Sequence, residues 1–267
     1  MALTINRDAL ERLYEKFNRR ALIHPDPLEF IYNYDAPRDR EVVGLVASSL
    51  AYGRVRQILT SVAKVLERME APAKFVRDTS LRNIQGAFAD FRHRFADGAQ
   101  LAALLWGTGK LLKEHKTLES AFKAHLEAAH DTTMPALTAF AAEIRDASGL
   151  PGHLLPCPSA GSACKRLHLF LRWMVRHDNV DPGVWQGIPA SLLIVPLDTH
   201  MHRICGSLGL TKRKQADMKA AAEITAGFRR FTPEDPVRYD FAITRLGIRQ
   251  DADPEEFLSR YSACEVA

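Results

Sequence analysis

Cysteine is scarce in this chain, and what there is follows no pairing pattern. Cys157, Cys164, Cys205 and Cys264 include no C-x-x-C. Thiols so placed carry neither a zinc-ribbon nor a thioredoxin signature, and they read as reduced thiols rather than a disulfide framework. Long apolar runs are also missing. No stretch approaches the roughly 20 residues of a membrane-spanning helix. Residues 1–8 lead directly into charged positions, without the apolar core of a leader peptide. The expectation is a cytoplasmic protein with no membrane partner. Sustained period-two alternation, internal repeats and low-complexity tracts are absent too. What remains is an essentially all-α chain. Neither sign of charge dominates: 36 Lys and Arg against 32 Asp and Glu give a net charge of +4. That mild basicity is compatible with a polyanionic partner and does not require one.

With 267 residues, 46% of them hydrophobic, the chain can bury a large core. It can do so as one domain or as two helical lobes around a cleft. In residues 6–21, Leu10, Leu13 and Phe17 fall on one helical face. The most apolar helix of the first half is predicted over 39–52, ended by Gly53, with another over 54–69. Short helices and connectors fill 72–94. A helix follows over 97–115, with Gly107 and Gly109 as expected breaks, then helices over 117–129 and 134–147. Residues 149–161 form the one Pro/Gly-rich connector. A strong helix over 162–176 places Leu167, Phe170, Leu171, Met174 and Val175 inward, with Lys165, Arg166, Arg172 and Arg176 as a basic side. Helices are predicted again over 215–230 and 233–247, and a last one over 253–261, where Asp253 and Pro254 suit the first positions.

The rest is organised around residues 194–210, Ile-Val-Pro-Leu-Asp-Thr-His-Met-His-Arg-Ile-Cys-Gly-Ser-Leu-Gly-Leu. Asp198 opens an amphipathic segment in which Ile204 and Leu208 share a face. By itself Asp198 is a good N-cap, since its carboxylate can accept from free N–H groups of the first turn. His200 and His202 raise the possibility of a metal. On a helix the two side chains point about 200° apart, so one ion is poorly served, and no metal is predicted.

Leu197-Asp198-Thr199-His200, Arg203-Ile204 and Leu208-Gly209-Leu210 resemble the catalytic-aspartate segment of the helix-hairpin-helix DNA glycosylases, the endonuclease III superfamily. Residues 239–247, with an aromatic and small-residue run into Leu-Gly, resemble the late helix that packs beside that segment in the superfamily. Residues 48–57 resemble more loosely the turn that enters DNA near the extruded nucleotide. The resemblance implies residues 1–267 as a single two-lobed glycosylase-like unit, with an atypical hairpin and catalytic segment over 149–210. It implies a base-excision repair glycosylase, with or without lyase activity, acting on a damaged base in double-stranded DNA. The superfamily's lysine stands at the start of a helix after a glycine-containing hairpin, which matches Lys165. A helix N-terminus disfavours a cation there, and burial lowers an amine pKa further, as a nucleophile requires. The alternative for Lys165 is a surface lysine beside Arg166.

The hairpin reads Cys-Pro-Ser-Ala-Gly-Ser rather than the usual Leu-Pro-Gly-Val-Gly, and the interval from 165 to 198 is long for the superfamily. Both features are similar to the archaeal oxoguanine branch, which points to an oxidised purine. The whole pattern also looks like an uncharacterised conserved bacterial family. Many superfamily members hold an iron–sulfur cluster on four C-terminal cysteines; only Cys264 lies there, so no cofactor is predicted. From 161 to 215 eight cations face three aspartates. Arg54, Gln57, Arg166, Arg203, Lys212, Arg213 and Lys214 are the DNA-binding candidates. Tyr52, His200 and Asp240 are further candidates for the active site. The expected state is a monomer associated with the nucleoid. The competing reading is a non-catalytic DNA-binding or scaffold protein that keeps the fold, with Asp198 as a cap and Lys165 on a basic face.

Overall fold

A computed structural model describes residues 7–149 and 154–248. The described chain is mostly helical, as its sequence periodicity implies. Twelve α-helices are described: α1 Arg7–Phe17, α2 Pro37–Ser49, α3 Val55–Leu66, α4 Pro72–Asp78, α5 Leu81–Ala87, α6 Gly98–His115, α7 Leu118–Lys123, α8 Met134–Ser148, α9 Lys165–Val175, α10 Thr199–Ser207, α11 Met218–Arg229 and α12 Asp240–Ile248. One antiparallel hairpin, β1 Arg92–His93 with β2 Ala96–Asp97, interrupts them. It is too short for an alternation pattern to reveal. The helix predicted over 253–261 and Cys264 lie outside the described residues.

Several helix starts differ from expectation: the helix expected from 233 begins at Asp240 and the one expected from 162 at Lys165, and at two others the first-turn residues account for the difference. Pro37 occupies the first turn of α2, so that helix begins before Asp39. Asp217 caps α11 through Ala220 N and delays its start to Met218. Residues 117–129 are helical only through Lys123.

The N-terminus of α7 is capped from outside. Glu41, buried on α2, accepts from Leu118 N at 3.1 Å, Glu119 N at 2.8 Å and Trp185 Nε1 at 2.7 Å. Burial pushes its carboxyl up, against the pull of those donors.

Gly107 and Gly109 do not break α6, which runs unbroken from its Asp97–Gln100 capping box to His115. They let other elements come close. A Cβ on Gly107 would lie 2.2 Å from Ile144 O, and one on Gly109 would lie 1.9 Å from Val76 O. Both are backbone atoms that cannot swing aside, so α6 can pack tightly on α8 and α4. A single core of aliphatic side chains with Trp173, Phe170, Phe140 and Phe122 continues into α9. It buries the Leu167, Phe170, Leu171, Met174 and Val175 face predicted to point inward. Among the described residues no helix is long and apolar enough to cross a membrane.

Gly109→Ala should destabilise the fold by about 1–3 kcal/mol through overpacking. Gly86→Ala, with nothing within 4 Å of its Cβ, should be neutral or gain up to about 1 kcal/mol. Denaturant unfolding of the two variants side by side checks this.

Candidate functional site

The site is built where the N-termini of two helices meet. Ahead of α9 the chain makes a 3₁₀ turn at Pro158–Ala160, then takes left-handed geometry at Gly161 (φ +84°) and again at Cys164 (φ +43°). For a non-glycine residue such geometry costs roughly 1–2 kcal/mol. The turn is held from outside, with Ser162 bridging to Asp217 and Met218 N donating to Gly161 O at 3.2 Å. Lys165 is therefore the first residue of α9.

Asp198 caps α10, its Oδ1 accepting from Met201 N at 2.7 Å. Its Oδ2 accepts from Lys165 Nζ at 2.6 Å. Cap and partner are thus the same carboxylate. Each side chain is about one-third exposed (32% and 33%), so the pair is desolvated on one side and open on the other. Burial pushes the Asp198 carboxyl up, but the Lys165 ammonium and the Met201 N–H outweigh it and hold it below its ordinary value of 3.8.

Beneath the pair lies a buried layer of charge that residue type alone assigns to the surface. Lys165, Arg172 and Arg176 fall within about 20° of one helical line. Arg172 and Arg176 are buried and do not form a basic side. Arg172 donates from Nη1 to Asp240 and from Nε to Asp181 at 3.2 Å. Arg176 reaches Asp181, Asp235 at 3.0 Å and Asp178 at 2.9 Å. Burial alone would lower the Arg176 guanidinium pKa, yet these carboxylates raise it well above its ordinary value. Asp240 accepts through Oδ2, while its buried Oδ1 has no hydrogen-bond partner among the described residues. Burial pushes this carboxyl up; the charges of Arg172 and Lys165 pull it down, and that of Asp198 adds to the rise. The two layers therefore share one electrostatic field.

The other predicted residues divide by position. Arg166 donates to Ser49 O at 2.8 Å and lies over the Tyr52 ring at 4.9 Å, so the end of α2 abuts the start of α9. Arg54 and Gln57 are exposed. Arg213 pairs with Asp217 at 2.8 Å, while Arg203, Lys212 and Lys214 are exposed. His202 Nε2 is 3.0 Å from Arg213 O, tying that loop to α10. His200 Nε2 is buried without a hydrogen-bond partner among the described residues. The His200–His202 pair is on a helix. The described group with metal-ligand geometry is elsewhere, at Glu114, His115 and Glu143, whose ligand atoms all lie within 4.8 Å. There Glu143 already bonds His115 and His125, each at 2.7 Å. Cys157, Cys164 and Cys205 are free thiols.

Sequence reasoning named Asp240 but missed Asp178, Asp181 and Asp235 as partners of Arg172 and Arg176. The signal was available: cations at i, i+7 and i+11 on a largely apolar helix, followed at once by Asp178 and Asp181.

A family model described as "Protein of unknown function (DUF2400)" matches residues 26–249. The chain belongs to the DUF2400 family. No curated protein and no solved structure matches it. The DUF2400 segment takes in the turn at 158–164, both members of the Lys165–Asp198 pair and the whole layer beneath them.

Removing one partner from the buried layer should be severe. Arg172→Ala leaves the buried Asp240 without its hydrogen-bonded cation and Asp181 with Arg176 alone, and should cost about 3–5 kcal/mol. Lys165→Ala, at a partly solvated and screened pair, should cost about 1 kcal/mol or less. Urea midpoints for the two variants test the contrast. The Lys165–Asp198 pair also sets a pH signature. Because the folded-state pKa of Asp198 is depressed, its stabilisation is present above the unfolded carboxylate pKa and is lost as pH falls through the folded value. The stability gap between wild type and Asp198→Asn should therefore be full near neutrality and shrink in strong acid. A gap that does not change between pH 7 and pH 3 would contradict this.

Proposed function

We propose that this DUF2400 protein is a DNA base-excision glycosylase of the helix-hairpin-helix type, with lyase capacity, acting on a damaged base extruded from duplex DNA. The turn at 158–164 serves as its atypical hairpin, in a two-lobed arrangement. The observation that supports the reading is the contact of 2.6 Å between Lys165 Nζ and Asp198 Oδ2, made between two helix N-termini and open to solvent on one side. A lysine with a carboxylate in contact is what attack at a sugar C1′ requires.

The chemistry follows from that contact. A base stacked in a duplex hides its C1′, so the nucleotide must first leave the stack. Asp198 Oδ2 accepts a proton from the Lys165 ammonium, freeing the Nζ lone pair to form a bond to C1′. The N-glycosidic bond breaks, and its electron pair leaves with the base. Asp198 does not keep the proton; the departing base takes it. As an anion again, Asp198 faces the positive charge now carried by Nζ in the Lys165–C1′ adduct. The C1′–O4′ bond breaks, its electron pair goes to O4′, which takes a proton from Nζ, and C1′ and Nζ are left joined as an iminium ion. Asp198 accepts a C2′ proton, and the electrons of that C–H bond expel the 3′ phosphate and nick the strand. Arg166, Arg203, Lys212 and Lys214 supply phosphate contacts around this point, while Arg213 is held by Asp217 and has only its remaining donors to offer. The neighbouring branch of the superfamily suggests an oxidised purine as the base.

Base release and strand nicking on duplexes carrying a panel of lesions, oxoguanine and an abasic site first, test the reading. Lys165→Ala should lose nicking by at least about a thousandfold, in line with the effect of removing a catalytic group. Asp198→Asn should slow release by about 10²–10⁴-fold. No release from any lesion, with salt-dependent DNA binding intact, would instead favour a DNA-binding protein that keeps the fold without the chemistry.

A further inference from the structure

Outside the Lys165–Asp198 site, a groove of about 780 Å³ runs between α3 and the β-hairpin. Its lining carries five cations, Arg54, Arg56, Lys64, Arg68 and Arg92, against Glu67 and Asp90. Asp90 is neutralised within the groove by a bidentate pair with Arg68, at 2.6 and 2.9 Å. On α3, Arg56, Thr60 and Lys64 follow at i, i+4 and i+8, so they form one stripe along the wall. Two large hydrophobic residues stand exposed among the described residues, Phe95 at 75% and Val55 at 39%; Val55 lies in the chain between the groove residues Arg54 and Arg56, and Phe95 is on the hairpin whose first strand supplies Arg92 to the lining. Phe95 stands at the hairpin tip beside Arg94, whose guanidinium is 5.4 Å from its ring centroid.

The hairpin is rigidly tied to the candidate site. Tyr52 OH donates to His93 O at 3.0 Å, and His93 Nε2 is 3.1 Å from Tyr52 O. His93 Nδ1 meets Ser61 Oγ at 2.8 Å on the groove floor. Gly53, at φ +100°, lets Arg94 close over the turn; a Cβ there would lie 2.7 Å from the Arg94 side chain. Contacts therefore run without a gap from Lys165's neighbour Arg166, through Tyr52 and His93, to the groove.

We infer that this groove holds an unpaired stretch of nucleic acid strand, with its phosphates along the Arg56–Lys64 wall and a base stacked on Phe95. A basic track with an aromatic platform at its edge is the chemistry that single strands select, because every base offers a π-face. The groove's volume is that of a small-ligand cleft, which suits a few nucleotides of one strand and not a duplex. The inference rests on the nucleic-acid reading of the neighbouring site for the identity of the partner, and not on its catalysis. The protein then prefers DNA that is locally opened beside the target over fully paired DNA.

The test is fluorescence anisotropy on two labelled duplexes of equal length, one fully paired and one with a short central unpaired loop, over a salt series. Wild type should favour the looped duplex. Phe95→Ala should weaken looped binding by about tenfold, within the range for loss of one stacked base, and change paired binding by less than about twofold. Arg56→Ala with Lys64→Ala should weaken both and reduce the salt slope by about 2, one for each phosphate left without its cation. All three residues are exposed, so folding is not at stake. Equal affinity of wild type for the two duplexes, wild-type binding by the variants, or a change of oligomeric state in Phe95→Ala overturns the inference. Base release and nicking by wild type on the same two duplexes separate the two readings: the preference for the looped duplex is expected whether or not nicking is ever observed.

Discussion

The structure depends on a buried line of charge along α9. Arg172 and Arg176 sit in the core and bond Asp178, Asp181, Asp235 and Asp240. Removing such charges from water is costly, and only full pairing offsets the cost. The layer therefore accepts few arrangements, and it fixes the rotation of α9. Because Lys165 lies on the same helical line, two turns before Arg172, its direction follows. A hydrophobic face alone would tolerate small rotations of the helix; this polar line does not.

Asp240 connects the buried layer to the surface pair. It is on α12, which packs on α10, the helix that Asp198 caps. One carboxylate oxygen of Asp240 is held by Arg172 and the other has no hydrogen-bond partner among the described residues. The Lys165–Asp198 pair thus lies above a region already rich in fixed charge, with one side open. The same placement explains why Asp198 can cap a helix and face Lys165 at once: its two oxygens point to separate donors.

Much of the fold is legible in the sequence, because helix periodicity and capping residues act locally. The inward face of α9, the Asp198 cap and the turn before Lys165 all follow from neighbouring residues. What fails is what depends on distant partners. Gly107 and Gly109 read as helix breakers, and only the approach of Ile144 and Val76 explains them as packing sites. Arg172 and Arg176 read as surface cations, since residue type does not reveal that four aspartates wait across the helix. The β-hairpin is too short to alternate. The pairing of Lys165 with Asp198 is not visible in spacing at all; only a family resemblance brings residues so far apart in sequence together. Within the candidate site, the positions of Tyr52 and Arg166 next to one another come from the packing of α2 on α9.

The central claim is that Lys165 is a nucleophile and not merely the partner of a helix cap. Borohydride trapping on a duplex containing oxoguanine or an abasic site, followed by mass spectrometry of the digested adduct, addresses it directly. The account predicts a covalent protein–DNA species whose modified peptide carries the sugar on Lys165, and which disappears in Lys165→Ala. An adduct on another lysine, or one that persists in Lys165→Ala, would contradict it.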